Sequence, residues 1–121
     1  MNILLVLHVL ALLASNQTPV FTQATAYEVI YAYQVKYAIP NDELYYTLKC
    51  ESNLNPRAVN LQDSHGGSYG IAQINLGSHL DVTKAQMLDP IFSIEWAAKQ
   101  FAAGKQSLWS CYNDIYGSEA S

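Results

Sequence analysis

The sequence predicts a mainly α-helical domain, and three observations carry that expectation. Apolar side chains recur at helical spacing around Ile30 and again around Ile94. Helix-start signals, Asn41-Asp42-Glu43 and Asp89-Pro90, stand directly ahead of two such segments. No long run alternates polar and apolar residues, so nothing argues for an extended sheet. At 121 residues a single domain is expected, and no internal repeat or low-complexity tract divides it.

The elements follow in order. Residues 3 to 14 form one apolar run, shorter than the roughly 20 residues a bilayer span needs. It has the length of a signal-peptide core, and Ala24-Thr25-Ala26 supplies small residues for cleavage. Residues 1–26 are therefore expected to be a signal peptide, and residues 27–121 the folded domain of an exported protein. No Lys or Arg precedes the run, and an earlier cut near Ala14 or Ser15 is an alternative. An uncleaved membrane anchor or a terminal core helix are two others.

From Tyr27 to Ala38, Ile30, Tyr33 and Tyr37 lie at i, i+3, i+7, and Pro40 stops the helix. Asn41 is a good N-cap for a second helix, and Asp42 and Glu43 place negative charge in its first turn. That helix is expected to run to Ser52, with Leu44 and Leu48 on its apolar face and Thr47 and Glu51 in the adjacent row. Pro56 ends helical structure by lacking an N–H and pushing Asn55 out of the α region. Gln62 to Ser68 reads as a loop loosened by Gly66-Gly67, and Gly70 to Ile74 as a short helix or extended turn. Asp81 or Thr83 would cap a short helix through Met87. Asp89 then Pro90, N-cap and N1, open a helix to Ala103 that carries Ile91, Ile94, Ala98, Phe101 and Ala102. Glu95 and Lys99 are spaced as an i,i+4 pair, Gly104 closes the helix, and Leu108 to Tyr116 forms a last turn or helix.

Composition narrows the function classes. The formal net charge is −4 and no basic run occurs, which disfavours nucleic acid and acidic membrane surfaces as partners. Two cysteines, Cys50 and Cys111, remain in a domain of about 95 residues, a size that buries only about two-thirds of its unfolded surface. In an exported protein an even pair reads as a disulfide, and a bridge closing about 60 residues contributes on the order of 4 kcal/mol in the chain-entropy model. Two buried thiols in a cytosolic protein are the alternative. Together with His65 and His79 these cysteines match no zinc spacing, so no metal and no cofactor is expected.

The chemistry concentrates between Cys50 and Ile74. Glu51 falls in the last turn of its helix, at the rim of an apolar face. Both placements disfavour the charged carboxylate, so its pKa should rise. A carboxyl that keeps its proton near neutral pH is what breaking a glycosidic bond requires at the leaving oxygen. Taken without its surroundings, Glu51 reads first as a surface glutamate at a fraying helix end.

Its surroundings carry a resemblance. Glu51-Ser52-x-x-x-Pro56, followed by Ala58-Val59-Asn60, resembles the first motif of the soluble lytic transglycosylases. Gly67-Ser68-Tyr69-Gly70-Ile71-Ala72-Gln73-Ile74 resembles their second, and Cys111-Tyr112-Asn113 a weaker third. The similarity spans roughly Ile30 to Tyr116. It implies a small lysozyme-like helical domain with a substrate cleft, acting on peptidoglycan glycan strands as a monomer. It further implies cleavage of the bond between N-acetylmuramic acid and N-acetylglucosamine, with Glu51 as acid and then base. The product would be a 1,6-anhydro sugar made by attack of the sugar's own 6-hydroxyl. The chain departs from the pattern at Ala72, in the longer loop through His65-Gly66, and at Asp114-Ile115 in place of a glycine.

Motif position and residue type together assign the remaining roles. Asn60 would orient Glu51, or else form a turn. Gln73 would hold an N-acetyl or hydroxyl group, or else a structural partner. Ser68 and Tyr69 would line the cleft, and Tyr112 would reach the scissile bond. A Cys50–Cys111 bridge would fix the acid relative to Tyr112. Ordinary glycosidases use a second carboxylate, for which Asp63 and Asp81 are the candidates, although both read first as turn or cap residues. His65 and His79 read as surface loop residues, and Trp96 and Trp109 as core. The competing functions are a muramidase that uses water and a non-catalytic peptidoglycan-binding module.

Overall fold

The computed structural model describes residues 3–14 and 21–117. Among the described residues are six α-helices, one short 3-10 turn and a three-stranded sheet of two-residue strands. The helices are α1 (Ile3–Ala14), α2 (Gln23–Lys36), α3 (Glu43–Ser52), α4 (Lys84–Met87), α5 (Pro90–Ala102) and α6 (Ser110–Tyr116). Strands β1 (Val59–Asn60), β2 (Ser68–Tyr69) and β3 (Ile74–Asn75) pair antiparallel in the order β1-β2-β3. The fold class is the one expected, mainly α and lysozyme-like in its small helical form. The sheet was not legible, because a two-residue strand carries no period.

The core is the meeting of α2, α3 and α5. Leu44 and Leu48 of α3 are fully buried, and Thr47 is buried beside them with its hydroxyl donating to the Glu43 carbonyl at 2.8 Å. Against them lie Val29, Ile30 and Tyr33 of α2 and Ile94, Ala97, Ala98 and Phe101 of α5. Ala97, rather than the expected Ala102, completes the inner face of α5; Ala102 is exposed. Helix α1 packs along α2 with Val6 and Val9 buried. No described helix is long and apolar enough to cross a membrane.

Two helix details differ from the sequence reading. Helix α2 begins at Gln23, capped by the Thr22 side chain, four residues ahead of its periodic segment. Helix α3 is capped from outside its own sequence. Asp42 occupies the N-cap position in the left-handed region and makes no side-chain cap bond. Instead the buried Gln34 of α2 donates to Asp42 Oδ1 at 2.8 Å and accepts from the Tyr45 N–H at 3.0 Å. That satisfies one of the orphan donors of the first turn and locks α2 to the start of α3. The expected Glu95–Lys99 pair is likewise replaced. Glu95 Oε2 accepts from Lys36 Nζ at 3.1 Å and from the Tyr37 hydroxyl at 2.8 Å, joining α5 to α2. These partners hold the Glu95 carboxyl below its ordinary pKa despite the burial that opposes them.

The turn between β2 and β3 is pinned at successive residues. Ser52 Oγ, from the last turn of α3, donates to the Ile71 carbonyl at 2.7 Å. The Ala72 N–H donates to Ser93 Oγ of α5 at 3.2 Å. The Trp109 indole donates to the Ala72 carbonyl at 2.8 Å. Three separate elements therefore fix the turn that faces Glu51. Ser52→Ala should cost about 1–2 kcal/mol, since it leaves the Ile71 carbonyl without this donor in a half-buried place. Urea unfolding checks it through a lower midpoint at an unchanged slope.

Candidate active site

Glu51 sits where the last turn of α3 meets the first turn of α6. Its Oε2 accepts from the Cys111 backbone N–H at 3.0 Å and lies 3.5 Å from the Ser110 hydroxyl. Cys50, one residue earlier, is joined to Cys111 by a disulfide whose Cα atoms are 6.0 Å apart. Burial pushes the Glu51 carboxyl above its ordinary pKa, and the negative charges of Asp63 and Asp114 push the same way. The Cys111 N–H and the Ser110 hydroxyl oppose this by favouring the anion, but the net direction is up. The side chain is thus oriented by the first turn of α6, in surroundings that favour its protonated form.

The carboxyl opens onto a cavity of about 340 Å³. Ser68, Gln73 and Asn75 of the small sheet and its turn form one wall. Asp63, Ser64 and His65, from the β1–β2 loop, form the rim. His79, Trp96 and Trp109 form an aromatic side, with His79 edge-on to Trp96 at 4.8 Å and Trp96 5.9 Å from Trp109.

The residues singled out from the sequence fall into two sets. Glu51, Ser68 and Gln73 line the cavity together. Ser68 is buried, and its Oγ accepts from Asn75 Nδ2 at 3.4 Å. Gln73 takes a positive φ of 51° and donates its side-chain nitrogen to the Ala58 and Gly70 carbonyls at 3.2 and 2.9 Å. With two carbonyls as neighbours the amide can face only this way, so its nitrogen is committed to holding the turn.

Asn60, Tyr69 and Tyr112 lie outside the lining. Asn60 makes a turn: its Oδ1 accepts from the Gln62 N–H at 3.1 Å and its Nδ2 donates to Asp63 at 3.2 Å. It positions Asp63, and Glu51 takes its bonds from α6. Tyr69 is buried on the other face of β2 from Ser68, as strand alternation requires, with its hydroxyl on the Gly66 carbonyl at 2.8 Å. Tyr112 packs edge-on against Phe101 at 5.6 Å and lies tilted against Tyr116 at 4.8 Å. Of the two candidate second carboxylates, Asp63 lines the cavity and Asp81 does not. His65, His79 and Trp96, read from sequence as surface or core, line the cavity as well. The signal that could have flagged His79 and Trp96 is weak, an aromatic pair 17 positions apart on two different elements.

This is a small lysozyme-like helical domain with a half-buried glutamate set at a polar and aromatic cavity. The family model described as the Transglycosylase SLT domain matches residues 28–115, and the chain belongs to that family. Its membership carries, at the level of the family, the cleavage of peptidoglycan by a transglycosylase. No curated protein and no solved structure matches the chain.

Proposed function

We propose that the protein is a peptidoglycan lytic transglycosylase in which Glu51 is the acid and base for cleavage of the N-acetylmuramic acid to N-acetylglucosamine bond. The observation that carries the reading is the raised pKa of a carboxyl that is also oriented by a backbone N–H. Protonated Glu51 donates to the glycosidic oxygen as the bond to the anomeric carbon breaks. The substrate acetamido oxygen supports the developing positive charge. The resulting Glu51 carboxylate then takes the proton of the sugar's 6-hydroxyl as that oxygen bonds the anomeric carbon, closing the 1,6-anhydro ring. Proton and charge balance without water or a cofactor. Ser68 and the carbonyl oxygen of Gln73 are the polar groups we assign to the sugar, and Trp96, which lines the cavity, is the ring we assign to its apolar face. The disulfide supports an oxidising compartment, and with the apolar run of residues 3 to 14 as an export signal cut near Ala14 or Ser15, ahead of the Thr22 cap of α2, the site of action is outside the cytoplasm.

A second reading has one observation in its favour. Asp63 lines the same cavity and its charge reaches Glu51, so a water-using muramidase has a carboxylate to call on. Mass spectrometry of muropeptides released from purified peptidoglycan separates the two. The transglycosylase yields anhydro ends, each lighter by one water, and keeps them in Asp63→Asn. Reducing ends that disappear in Asp63→Asn would establish the muramidase.

A further inference from the structure

The bond that orients Glu51 comes from one end of the disulfide. Cys50 precedes Glu51 in the last turn of α3 and is exposed, whereas Cys111 is buried at the start of α6. Cys111 gives its N–H to the Glu51 carboxyl at 3.0 Å while its sulfur is bonded to Cys50. These links close a ring that runs from the Glu51 side chain through Cys111 and the bridge back to Cys50. The other donor, Ser110, is the neighbouring residue on the same segment. No other hydrogen bond among the described residues joins α3 to α6.

We propose that the Cys50–Cys111 bridge is a positioning device for the acid, and that its reduction lowers turnover by releasing the Cys111 N–H from the Glu51 carboxyl. This rests on the reading of Glu51 as the acid. It differs from a bridge that sets Tyr112, because Tyr112 packs away from the cavity while Cys111 touches the carboxyl itself. The exposure of Cys50 gives a reductant access. A dithiol is the class required: its thiolate attacks a bridge sulfur, the S–S bond breaks, and a mixed disulfide forms. The second thiol of the reductant then displaces it. Two electrons and two protons pass from the dithiol to the cysteines, which end as thiols.

The same bond favours the carboxylate, so its loss should also move the titration of Glu51 upward. The other charged or titratable groups facing Glu51 are Asp63, His65 and His79 across the cavity and Asp114 on α6. None is joined to the bridge.

The test uses the full chain in three forms: oxidised, reduced with dithiothreitol, and Cys50→Ser/Cys111→Ser. Folded fraction is read by circular dichroism. Should the serine pair not fold, Cys50→Ala/Cys111→Val refills the volume of the bridge. On purified glycan strands we expect kcat per folded molecule to fall about tenfold or more, with KM within about twofold, the pattern of a displaced catalytic group. Carbon NMR of the Glu51 carboxyl should show its titration midpoint rising when the bridge is open. An unmoved midpoint, or a kcat loss no larger than the loss of folded protein, overturns the proposal. The NMR readout does not depend on turnover. If every form, oxidised included, leaves glycan intact, the enzyme reading fails, and the midpoint alone then decides whether the bridge holds the carboxyl.

Discussion

Glu51→Gln should lower glycan cleavage by about 10²–10⁴-fold, the range a positioned general acid contributes. The variant keeps the shape of the side chain, and its carbonyl oxygen can still accept from the Cys111 N–H, so the geometry survives while the proton is lost. Stability should change in the opposite sense. Burial raises the Glu51 pKa, so the folded chain holds that proton to higher pH than the unfolded chain does. The stability this linkage supplies is complete below the unfolded-state pKa and is lost as pH rises through the folded-state pKa. Above its folded-state pKa the wild type carries a partly desolvated charge that glutamine lacks. Thermal melts should therefore place the variant at or above the wild type at pH values above the folded-state pKa, with the gap closing as the pH falls through that value to the ordinary glutamate range. A variant that melts well below the wild type at high pH, where Glu51 is ionised, would mean that the charge stabilises the fold, contrary to the desolvated setting described for it.

The largest structural effect should come from Gly70→Ala. Gly70 has φ +82°, and its N–H donates to the Ala58 carbonyl at 2.7 Å. A Cβ there would lie 1.9 Å from the Met87 carbonyl oxygen and 2.8 Å from its carbon. That neighbour is backbone at the end of a capped helix, so no rotamer change relieves the clash. Backbone strain and forced displacement together should cost about 3–5 kcal/mol. For a domain of this size each kcal/mol lowers Tm by roughly 4–8 °C, so a fall of well over 10 °C is expected in a calorimetric scan. Activity should drop even in the fraction that remains folded, because the turn Gly70 begins carries Gln73 and adjoins the sheet wall.

Local signals were enough for much of the fold. Asp89-Pro90 announced α5, and Asp89 does cap it, accepting from the Ile91 and Phe92 N–H groups. The Leu44 and Leu48 row placed Glu51 at the edge of the buried face because α3 is a regular helix. What escaped the sequence depends on residues far apart in the chain. The cap of α3 comes from Gln34, and the partner of Glu95 is Lys36. The donor to Glu51 is a backbone N–H 60 positions away, and a backbone group has no residue type to recognise. The cavity side of His79 and Trp96 follows from how the loop after β3 meets α5, which no period encodes. Tyr69 and Tyr112 stand in the right motifs, but side-chain direction is set by strand alternation and helix packing. Both point into aromatic and backbone contacts outside the cavity lining.

The central claim is that Glu51 works as a protonated acid because its surroundings solvate an anion poorly. The pH dependence of kcat/KM on purified glycan strands tests it most directly, since that profile reports the essential groups of the free enzyme. The account predicts activity that holds through the acid range and declines with rising pH around a midpoint above that of an ordinary glutamate, with the decline absent from the residual activity of Glu51→Gln. Activity that instead climbs as a carboxyl ionises, or a decline centred at or below the ordinary glutamate value, would contradict it.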